Sequence, residues 1–387
     1  MERFSLSIPE DQLDDLRTRL ARTRWPDATA EQPGWERGIP QHYLRELADY
    51  WLHHYDWRKA EEQINAFPQF RTEIDGATVH FVHVRSADPD AVPLLITHGW
   101  PGAFTEFLHL IGPLTDPVGH GAPQGTPAFH VVLPSIPGFG FSGPLREHGW
   151  GTHRVALAWA SLMRELGYEH YIAQGGDAGS VISMTLGAVA PEHVLGVHVN
   201  MLMTVPPPDG SGLADLSESD QARLARLGRF DTELSGYMKL QSSRPRTLSY
   251  ALADSPVGQL AWIAERFRDW TDSRQVPEDA VSRDQLLTIV TIYWLTASAG
   301  SSAQLYYEDA EGLRLAAAGH AGPPLPVPLG VAVFPHDIFV PIRSIAQMRY
   351  PSLVHWTEFD RGGHFAALER PGDLITDIRA FATALPD

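Results

Sequence analysis

The chain of 387 residues contains 43% hydrophobic and 20% charged residues, a composition typical of a globular protein with one large domain and an insertion, or with two domains. Its formal net charge of −17 at pH 7 argues against nucleic acid and anionic membranes as partners, because both would repel it. The absence of cysteine excludes disulfides, thiolate metal sites and a catalytic thiol.

The first 90 residues are mostly polar, and their apolar residues recur at helical spacing. A helix is predicted from about Ile8 to Pro26, which ends it. A second amphipathic helix is predicted over residues 41–54 and is closed by residues 55–58, with its aromatic side chains packed against a neighbouring domain. Residues 70–83 predict a β-hairpin with its turn at Asp75-Gly76.

The pattern then changes to short apolar runs that alternate with helical segments. The runs are typical of parallel strands buried on both faces. They cover residues 93–97, 129–134, 171–174 and 194–199, and helices are predicted at 104–114, 152–166 and 180–190. This alternation predicts a mostly parallel α/β sheet with right-handed crossovers, whose active site lies at the carboxyl ends of the strands.

Residues 202–325 interrupt the alternation and are mostly helical, which predicts a lid inserted over the site. Strands at 327–334 and 353–359 and a helix at 373–384 then resume the α/β pattern. The predicted organisation is therefore an N-terminal region (1–90), a first part of the core (91–201), the lid (202–325) and a second part of the core (326–387).

The segment 174–180, Gln-Gly-Gly-Asp-Ala-Gly-Ser, lies between a predicted strand and a predicted helix. This layout is that of a nucleophile elbow, in which glycines on both sides of the apex avoid steric clashes in a sharp turn. The apex is Asp177 where the common motif has serine, so a carboxylate would be the attacking group. The same residues also suit an ordinary surface turn, and this alternative is open from the segment alone.

A carboxylate nucleophile needs a base to activate water, an acid to orient that base, and donors for an oxyanion. His364 and Asp337 each follow a predicted strand and are the candidates for base and acid. The order nucleophile, acid, histidine is that of the α/β-hydrolases. The predicted oxyanion donors are the N–H groups of Trp100 and Ala178. Pro101 after Trp100 suits a fixed, tight turn, in which the peptide bond can be trans or cis.

Together these residues resemble the epoxide hydrolases of the α/β-hydrolase superfamily, in the branch of the microsomal and juvenile hormone enzymes. The resemblance runs along almost the whole chain. Its motifs are Trp35, Tyr50-Trp51, residues 55–58, 65–70 and 80–83, HGWPG at 98–102, PGFGFS at 137–142, GGDAGS at 175–180, and the lid segments around Tyr237, Asp254 and Tyr306. It implies the α/β-hydrolase fold with an N-terminal helical meander and a helical lid.

The resemblance implies that two lid tyrosines, Tyr237 and Tyr306, donate protons to the epoxide oxygen, and the adjacent Tyr307 leaves the second assignment open. It implies a covalent ester on Asp177 that His364-activated water hydrolyses to a vicinal diol. The residues expected to line the substrate pocket are His98, Gly99, Pro101, Phe139 and Tyr307. Two biological roles are implied: detoxification, and the tailoring of natural products such as enediyne antibiotics.

No cofactor and no metal are expected, because the sequence has neither an HExxH nor a GxGxxG after the first strand. The expected partner is a small-molecule epoxide, and the extended N-terminal region is compatible with a homodimer. We expect a soluble cytoplasmic protein of the bacterial and fungal type, since neither a signal peptide nor an apolar run of about 18–20 residues is found.

Two alternative functions remain. A haloalkane or haloacid dehalogenase also uses an aspartate nucleophile on this fold, but commonly has a tryptophan beside it where this chain has Ala178. A non-catalytic ligand-binding protein on a hydrolase scaffold would have lost Asp177 or His364, and both are present. The absence of serine at the apex disfavours a carboxylesterase.

Overall fold

The computed structural model describes residues 1–27, 34–214, 216–320, 322 and 325–386, which form one sheet flanked by helices. In these residues the sheet has nine strands in the order β1-β2-β3-β5-β4-β6-β7-β8-β9. The strands are β1 (Glu2–Phe4), β2 (Gln69–Ile74), β3 (Ala77–Val84), β4 (Val92–Thr97), β5 (Phe129–Pro134), β6 (Tyr171–Gly175), β7 (Val194–Val199), β8 (Leu329–Val333) and β9 (Leu353–Glu358).

Sixteen α-helices are assigned within the described residues. They are α1 (Glu10–Ala21), α2 (Gln41–His53), α3 (Trp57–Asn65), α4 (Leu108–Thr115), α5 (Thr152–Glu165), α6 (Ala178–Val189), α7 (Glu218–Arg229), α8 (Gly236–Ser243), α9 (Pro245–Asp254), α10 (Pro256–Trp270), α11 (Arg283–Leu295), α12 (Ser298–Glu308), α13 (Ala310–Ala317), α14 (Arg343–Arg349), α15 (Ala366–Glu369) and α16 (Pro371–Ala384). Short 3₁₀ segments cover Phe104–Phe107 and Pro277–Asp279, and Phe230–Leu234 is a π-helical turn.

The predicted parallel sheet is confirmed for strands β4 to β9, which pair in parallel. Strands β1 to β3 pair antiparallel with one another and join the sheet where β3 meets β5. The predicted hairpin is confirmed, since Ile74 pairs with Ala77 across Asp75 and Gly76. Both turn residues have positive φ angles, 49° and 79°, as the favoured two-residue hairpin turn requires.

Three details of the N-terminal region differ from the prediction. Helix α1 ends at Ala21, five residues before Pro26, so the proline does not terminate it. The residues predicted to close the second helix instead begin a third: the side chain of Asp56 caps α3 by accepting the N–H of Arg58 at 2.9 Å. Strand β1 was not predicted, because three residues are too short to show a period.

The predicted lid forms as helices α7 to α13, inserted between β7 and β8. The aromatic side chains of α2 were predicted to pack against a neighbouring domain, and they hold this lid. Tyr43 and Tyr50 donate to the carboxylates of Glu278 and Asp284, both at 2.9 Å, and Trp51 Nε1 donates to Thr291 Oγ1 at 3.0 Å. The N-terminal region therefore fixes the lid over the strand ends.

Across the described ranges, we find no single helix that is long and apolar enough to cross a membrane. Helices α11 and α12 meet the length and composition criteria only as a pair, and they are bent by 90° where they join. Helix α11 is largely buried against α10 and the core.

Candidate active site

The segment around Asp177 is a tight turn between β6 and α6 and not a surface turn. Asp177 has φ 52° and ψ −131°, a conformation that costs a non-glycine residue about 1–3 kcal/mol. A Cβ at Gly175 would lie 2.2 Å from the carbonyl oxygen of Gly179, and one at Gly179 would lie 2.0 Å from that of Thr97. The two glycines are therefore sterically required, as the elbow prediction assumed.

The loop after β4 presents a donor to this carboxylate. The N–H of Trp100 donates to Asp177 Oδ1 at 2.9 Å, and the Trp100-Pro101 peptide is cis. A Cβ at Gly99 would lie 2.3 Å from the Asp177 side chain, so glycine is needed for this close approach. Ala178 is the first residue of α6, and its N–H is one of those that lack an acceptor within the helix.

His364 lies between two carboxylates, which the ends of β6 and β8 bring together. Its Nδ1 is 2.7 Å from Asp337 Oδ1, and its Nε2 is 3.5 Å from Asp177 Oδ2. The backbone N–H of Ile338 donates to the same Asp337 oxygen at 2.6 Å, and the backbone N–H of His364 donates to the carbonyl of Trp270 at 2.8 Å. The sequence-predicted nucleophile, base and acid are therefore adjacent.

Electrostatics favour a charged imidazole in the free protein. Burial alone would lower the pKa of His364, but the charge of Asp337, the hydrogen bonds to both carboxylates and the charge of Asp177 raise it to about 10. At neutral pH the histidine is therefore protonated and paired with Asp177. Once Asp177 is converted to a neutral ester, one of these two stabilising charges is lost, and the imidazole can release its proton more readily.

The lid contributes two buried tyrosines, both of which contact Trp100 in the loop after β4. Tyr237 in α8 stacks on the indole of Trp100, with ring centroids 5.2 Å apart, and Tyr306 in α12 contacts the same indole edge-on at 5.8 Å. The two tyrosine rings are 5.9 Å apart and nearly perpendicular. Tyr307 is 53% exposed, because consecutive residues of a helix point about 100° apart. The structure thus places Tyr306, and not Tyr307, against Trp100 and Tyr237, and the place of Tyr307 in the substrate pocket stays a prediction.

Both buried phenols hold their protons over the physiological range. Burial, with the charge of Asp177 adding to it, raises the pKa of Tyr237 above the ordinary tyrosine value. Burial likewise raises the pKa of Tyr306, together with its neighbour Tyr237 and the charge of Asp177. Two protonated hydroxyls near a carboxylate nucleophile can donate hydrogen bonds to an oxygen that becomes negative.

A cavity with an empty volume of about 320 Å³ lies beside the nucleophile. The residues that line it are His98, Gly99, Trp100, Gly102, Glu106, Phe107, Gly176, Asp177, Asn200, His364, Phe365, Ala366 and Ala367. His98 and Gly99 were predicted to line a pocket and do so here. Pro101 and Phe139 do not, since the Phe139 ring lies behind His98 with centroids 5.4 Å apart. Neither lid tyrosine lines this cavity.

Sequence reasoning missed Glu106, a buried carboxyl group in the cavity wall. Its Oε1 accepts the N–H of Ala103 at 2.9 Å, and burial raises its pKa to about 8. One signal was available: an acidic residue between the two phenylalanines of the segment Phe104–Phe107, a few residues after Trp100. An acidic residue at the start of a helix usually caps the helix and is solvated, so it does not by itself indicate a buried site residue.

Two protein families and several known proteins match this chain. Residues 1–107 match the family described as epoxide hydrolase N terminus, and residues 92–371 match the alpha/beta hydrolase fold. A putative epoxide hydrolase of Stigmatella aurantiaca is 45% identical over 97% of this chain and 83% of its own. Epoxide hydrolase 1 of Sus scrofa is 35% identical over 98% of this chain and 87% of its own.

The chain belongs to the epoxide hydrolase family. The fold of this epoxide hydrolase is also that of its relatives: the solved structure of the Aspergillus niger epoxide hydrolase superposes with a TM-score of 0.88, at 35% identity, over 100% of this chain and 96% of that one. The protein is thus an α/β-hydrolase-fold enzyme that acts on ether bonds, and its substrates are small-molecule epoxides.

Proposed function

We propose that this epoxide hydrolase works through a covalent ester on Asp177. The observation that carries the proposal is the position of one carboxylate between three kinds of partner. One Asp177 oxygen is held by the Trp100 N–H, the other faces His364, and its charge acts on both lid tyrosines. A hydrogen-bonded, mostly buried carboxylate, with proton donors on one side and a histidine on the other, suits two successive displacements.

In the first step an Asp177 oxygen attacks one epoxide carbon and the carbon–oxygen bond of the ring breaks. The ring oxygen takes a proton from Tyr237 or Tyr306, so the alkoxide leaves as an alcohol. Before the second step the His364 imidazolium, which has lost the neighbouring Asp177 charge, returns its proton to the tyrosinate through solvent. Neutral His364, oriented by Asp337, then takes a proton from the water that attacks the ester carbonyl carbon. The N–H groups of Trp100 and Ala178 stabilise the oxyanion, and His364 protonates the departing diol oxygen. The carboxylic acid left on Asp177 then gives its proton to His364, which restores the charged pair of the free enzyme.

The dehalogenase alternative has one observation in its favour. The indole Nε1 of Trp270 is buried and has no hydrogen-bond partner among the described residues, and a halide ion prefers such donors. Two protonated phenols instead suit an alkoxide, because an alkoxide must gain a proton and a halide need not. We therefore expect no halide release from 1,2-dibromoethane under conditions in which styrene oxide is hydrolysed.

The covalent intermediate can be trapped by removing the base. His364→Ala should form the ester but fail to hydrolyse it, so intact-protein mass spectrometry after incubation with styrene oxide should show a gain of one substrate mass. The Asp177→Asn variant is the control and should show none. A His364→Ala protein without adduct, alongside a wild type without diol, would contradict the covalent mechanism.

The two adjacent tyrosines of α12 provide a matched pair. Tyr306→Phe should slow ring opening about 100-fold, because proton donation to the leaving oxygen typically contributes 10²–10⁴-fold. Tyr307→Phe removes the same hydroxyl from an exposed side chain and should change the rate less than twofold. Single-turnover kinetics on both variants measure this difference, and equal rates would show that Tyr306 is misassigned.

We also propose, on analogy, that the biological substrate is a bulky aryl epoxide in natural-product tailoring, such as that leading to enediyne antibiotics. The rings of Trp100, Tyr237, Trp270 and Tyr306 around the nucleophile support an aryl substituent. A panel of epoxides with chiral product analysis tests this assignment. Small aliphatic epoxides that are hydrolysed as efficiently as substituted aryl epoxides would favour detoxification instead.

A further inference from the structure

Glu106 is the one carboxyl group besides Asp177 in the described wall of the cavity, and the two-step mechanism leaves it without a role. It is only 6% exposed. Its Oε1 is occupied by the Ala103 N–H, whereas no hydrogen-bond partner is found for Oε2 among the described residues. A buried carboxyl group that makes one hydrogen bond out of several is expensive unless water or a ligand satisfies the rest.

The neighbouring backbone is shaped to admit this carboxyl group. A Cβ at Gly102 would lie within 1.8 Å of Glu106 Oε1, so any larger residue there would displace the carboxyl group. The carbonyl of Gly102 accepts a hydrogen bond from the Tyr293 hydroxyl at 2.9 Å, which ties the loop to α11. The position of Glu106 beside Asp177 and His364 is therefore fixed from two sides.

We propose that Glu106 binds the water molecule that hydrolyses the Asp177 ester and holds it between its Oε2 and His364 Nε2. The inference rests on the proposed covalent function. The cavity has room for a water molecule. As the water oxygen forms its bond to the ester carbon, one hydrogen passes to His364 and the other is hydrogen-bonded to Glu106. The ester bond to the alkyl group then breaks and the diol leaves with the proton from His364.

The charges around Glu106 should make it a better hydrogen-bond acceptor in the second step than in the free enzyme. The titratable groups that act on it are Asp177, His364 and Tyr293. In the free enzyme burial and the Asp177 charge raise the pKa of Glu106 to about 8, against the Ala103 N–H and His364, so it is mostly neutral at pH 7. Esterification removes the Asp177 charge, and as long as His364 keeps its proton the imidazolium favours the ionised Glu106, which is the better acceptor for a water hydrogen.

The test separates the two half-reactions in single-turnover experiments with styrene oxide, following tryptophan fluorescence and intact mass. Glu106→Gln keeps an oxygen for the Ala103 N–H but not a carboxylate for water. Ester formation should stay within about threefold of the wild type, and ester hydrolysis should slow about 10- to 100-fold, the usual effect of losing a hydrogen bond to a charged group. The ester should therefore accumulate in the steady state.

Two further variants keep the result interpretable. Gly102→Ala retains Glu106 but displaces its carboxyl group, and should show the same selective loss even if Glu106→Gln is recovered unfolded. Glu61→Gln is the matched control, because Glu61 is a buried carboxyl group that accepts the backbone N–H of Ile8 in the N-terminal region, away from the cavity. It should leave both half-reactions unchanged.

Hydrolysis at the wild-type rate in Glu106→Gln, or an equal loss in both half-reactions, would overturn the role of Glu106 while leaving the covalent mechanism intact. A wild type that forms neither ester nor diol would instead overturn the proposed function and this inference with it. The two failures are thus distinguishable.

Discussion

Two buried aspartate–histidine clusters lie in the C-terminal half of the sheet, and only one belongs to the active site. In the first, Asp337 pairs with His364 at 2.7 Å. In the second, Asp377 of α16 accepts from His198 of β7 at 2.9 Å and contacts His355 of β9 at 2.8 Å. Residue type, burial and distance are nearly the same in the two clusters.

The clusters differ in where they lie along the strands and in what the second ring nitrogen faces. His364 follows the carboxyl end of β9, so its Nε2 is free to face Asp177 and the cavity. His198 lies within β7 beneath α16, and its Nδ1 is buried without a partner among the described residues. Both Asp377 oxygens are used by histidines. An aspartate–histidine pair therefore indicates catalysis only where the topology also supplies a nucleophile and a space for substrate.

The largest expected effect comes from neutralising the acid of the first cluster. Asp337→Asn should lower kcat by about 10³–10⁴-fold, because the amide favours the wrong histidine tautomer, as in other His–Asp catalytic pairs. Steady-state kinetics with styrene oxide measure the loss, and circular dichroism checks that the fold is kept. A variant with near wild-type kcat would remove Asp337 from the catalytic group.

The sequence pattern predicted the fold and the site residues that follow strands of the sheet. It predicted the site residues of the lid only in part. Strand β5 and helix α5 were predicted to within a residue, because buried parallel strands and amphipathic helices have distinct periods. Asp177, Asp337 and His364 were predicted because each follows a strand, and parallel strands end at one edge of the sheet. Such an argument depends on topology and not on side-chain packing.

The remaining features depend on packing that has no local signature. The choice between Tyr306 and Tyr307 required the orientation of α12, since both residues carry the same hydroxyl. The interactions of Glu106 could be predicted only from the burial of Phe104–Phe107 and the position of Gly102, which the sequence does not show. The Asp377 cluster joins residues 198, 355 and 377, and long-range contacts of this kind are invisible to periodicity.

Substitution in the second cluster should affect stability and spare the chemistry. Asp377→Asn should lower the free energy of unfolding by about 3–5 kcal/mol, the usual cost of removing one partner from a buried charged pair. Chemical denaturation measures this change. Below the unfolding transition, kcat per folded molecule should match the wild type within about twofold. A large drop in kcat without a loss of stability would show that the two clusters are coupled.

The smallest expected effect is in the pH dependence of stability. The stability that the Asp377 cluster contributes should be lost at acidic pH, and that of the His364 cluster at basic pH. Burial alone would raise the pKa of Asp377, but hydrogen bonds to His198 and His355 and the charge of His198 lower it below the ordinary value. Its contribution is therefore present above the unfolded pKa of about 3.9 and is lost as pH falls through the folded value. The Tm difference between wild type and Asp377→Asn should accordingly narrow in acid.

The active-site cluster should show the reverse dependence. The pKa of His364 is raised to about 10, so the stability that it contributes is complete below the unfolded value of about 6.5 and disappears as pH rises through about 10. The Tm difference between wild type and His364→Gln should narrow between pH 7 and pH 10. Over the same range the Tm difference between wild type and Asp377→Asn should stay constant. Parallel pH profiles for the two variants would mean that His364 is not charged in the free enzyme, and the pairing of its imidazolium with Asp177 would then be wrong.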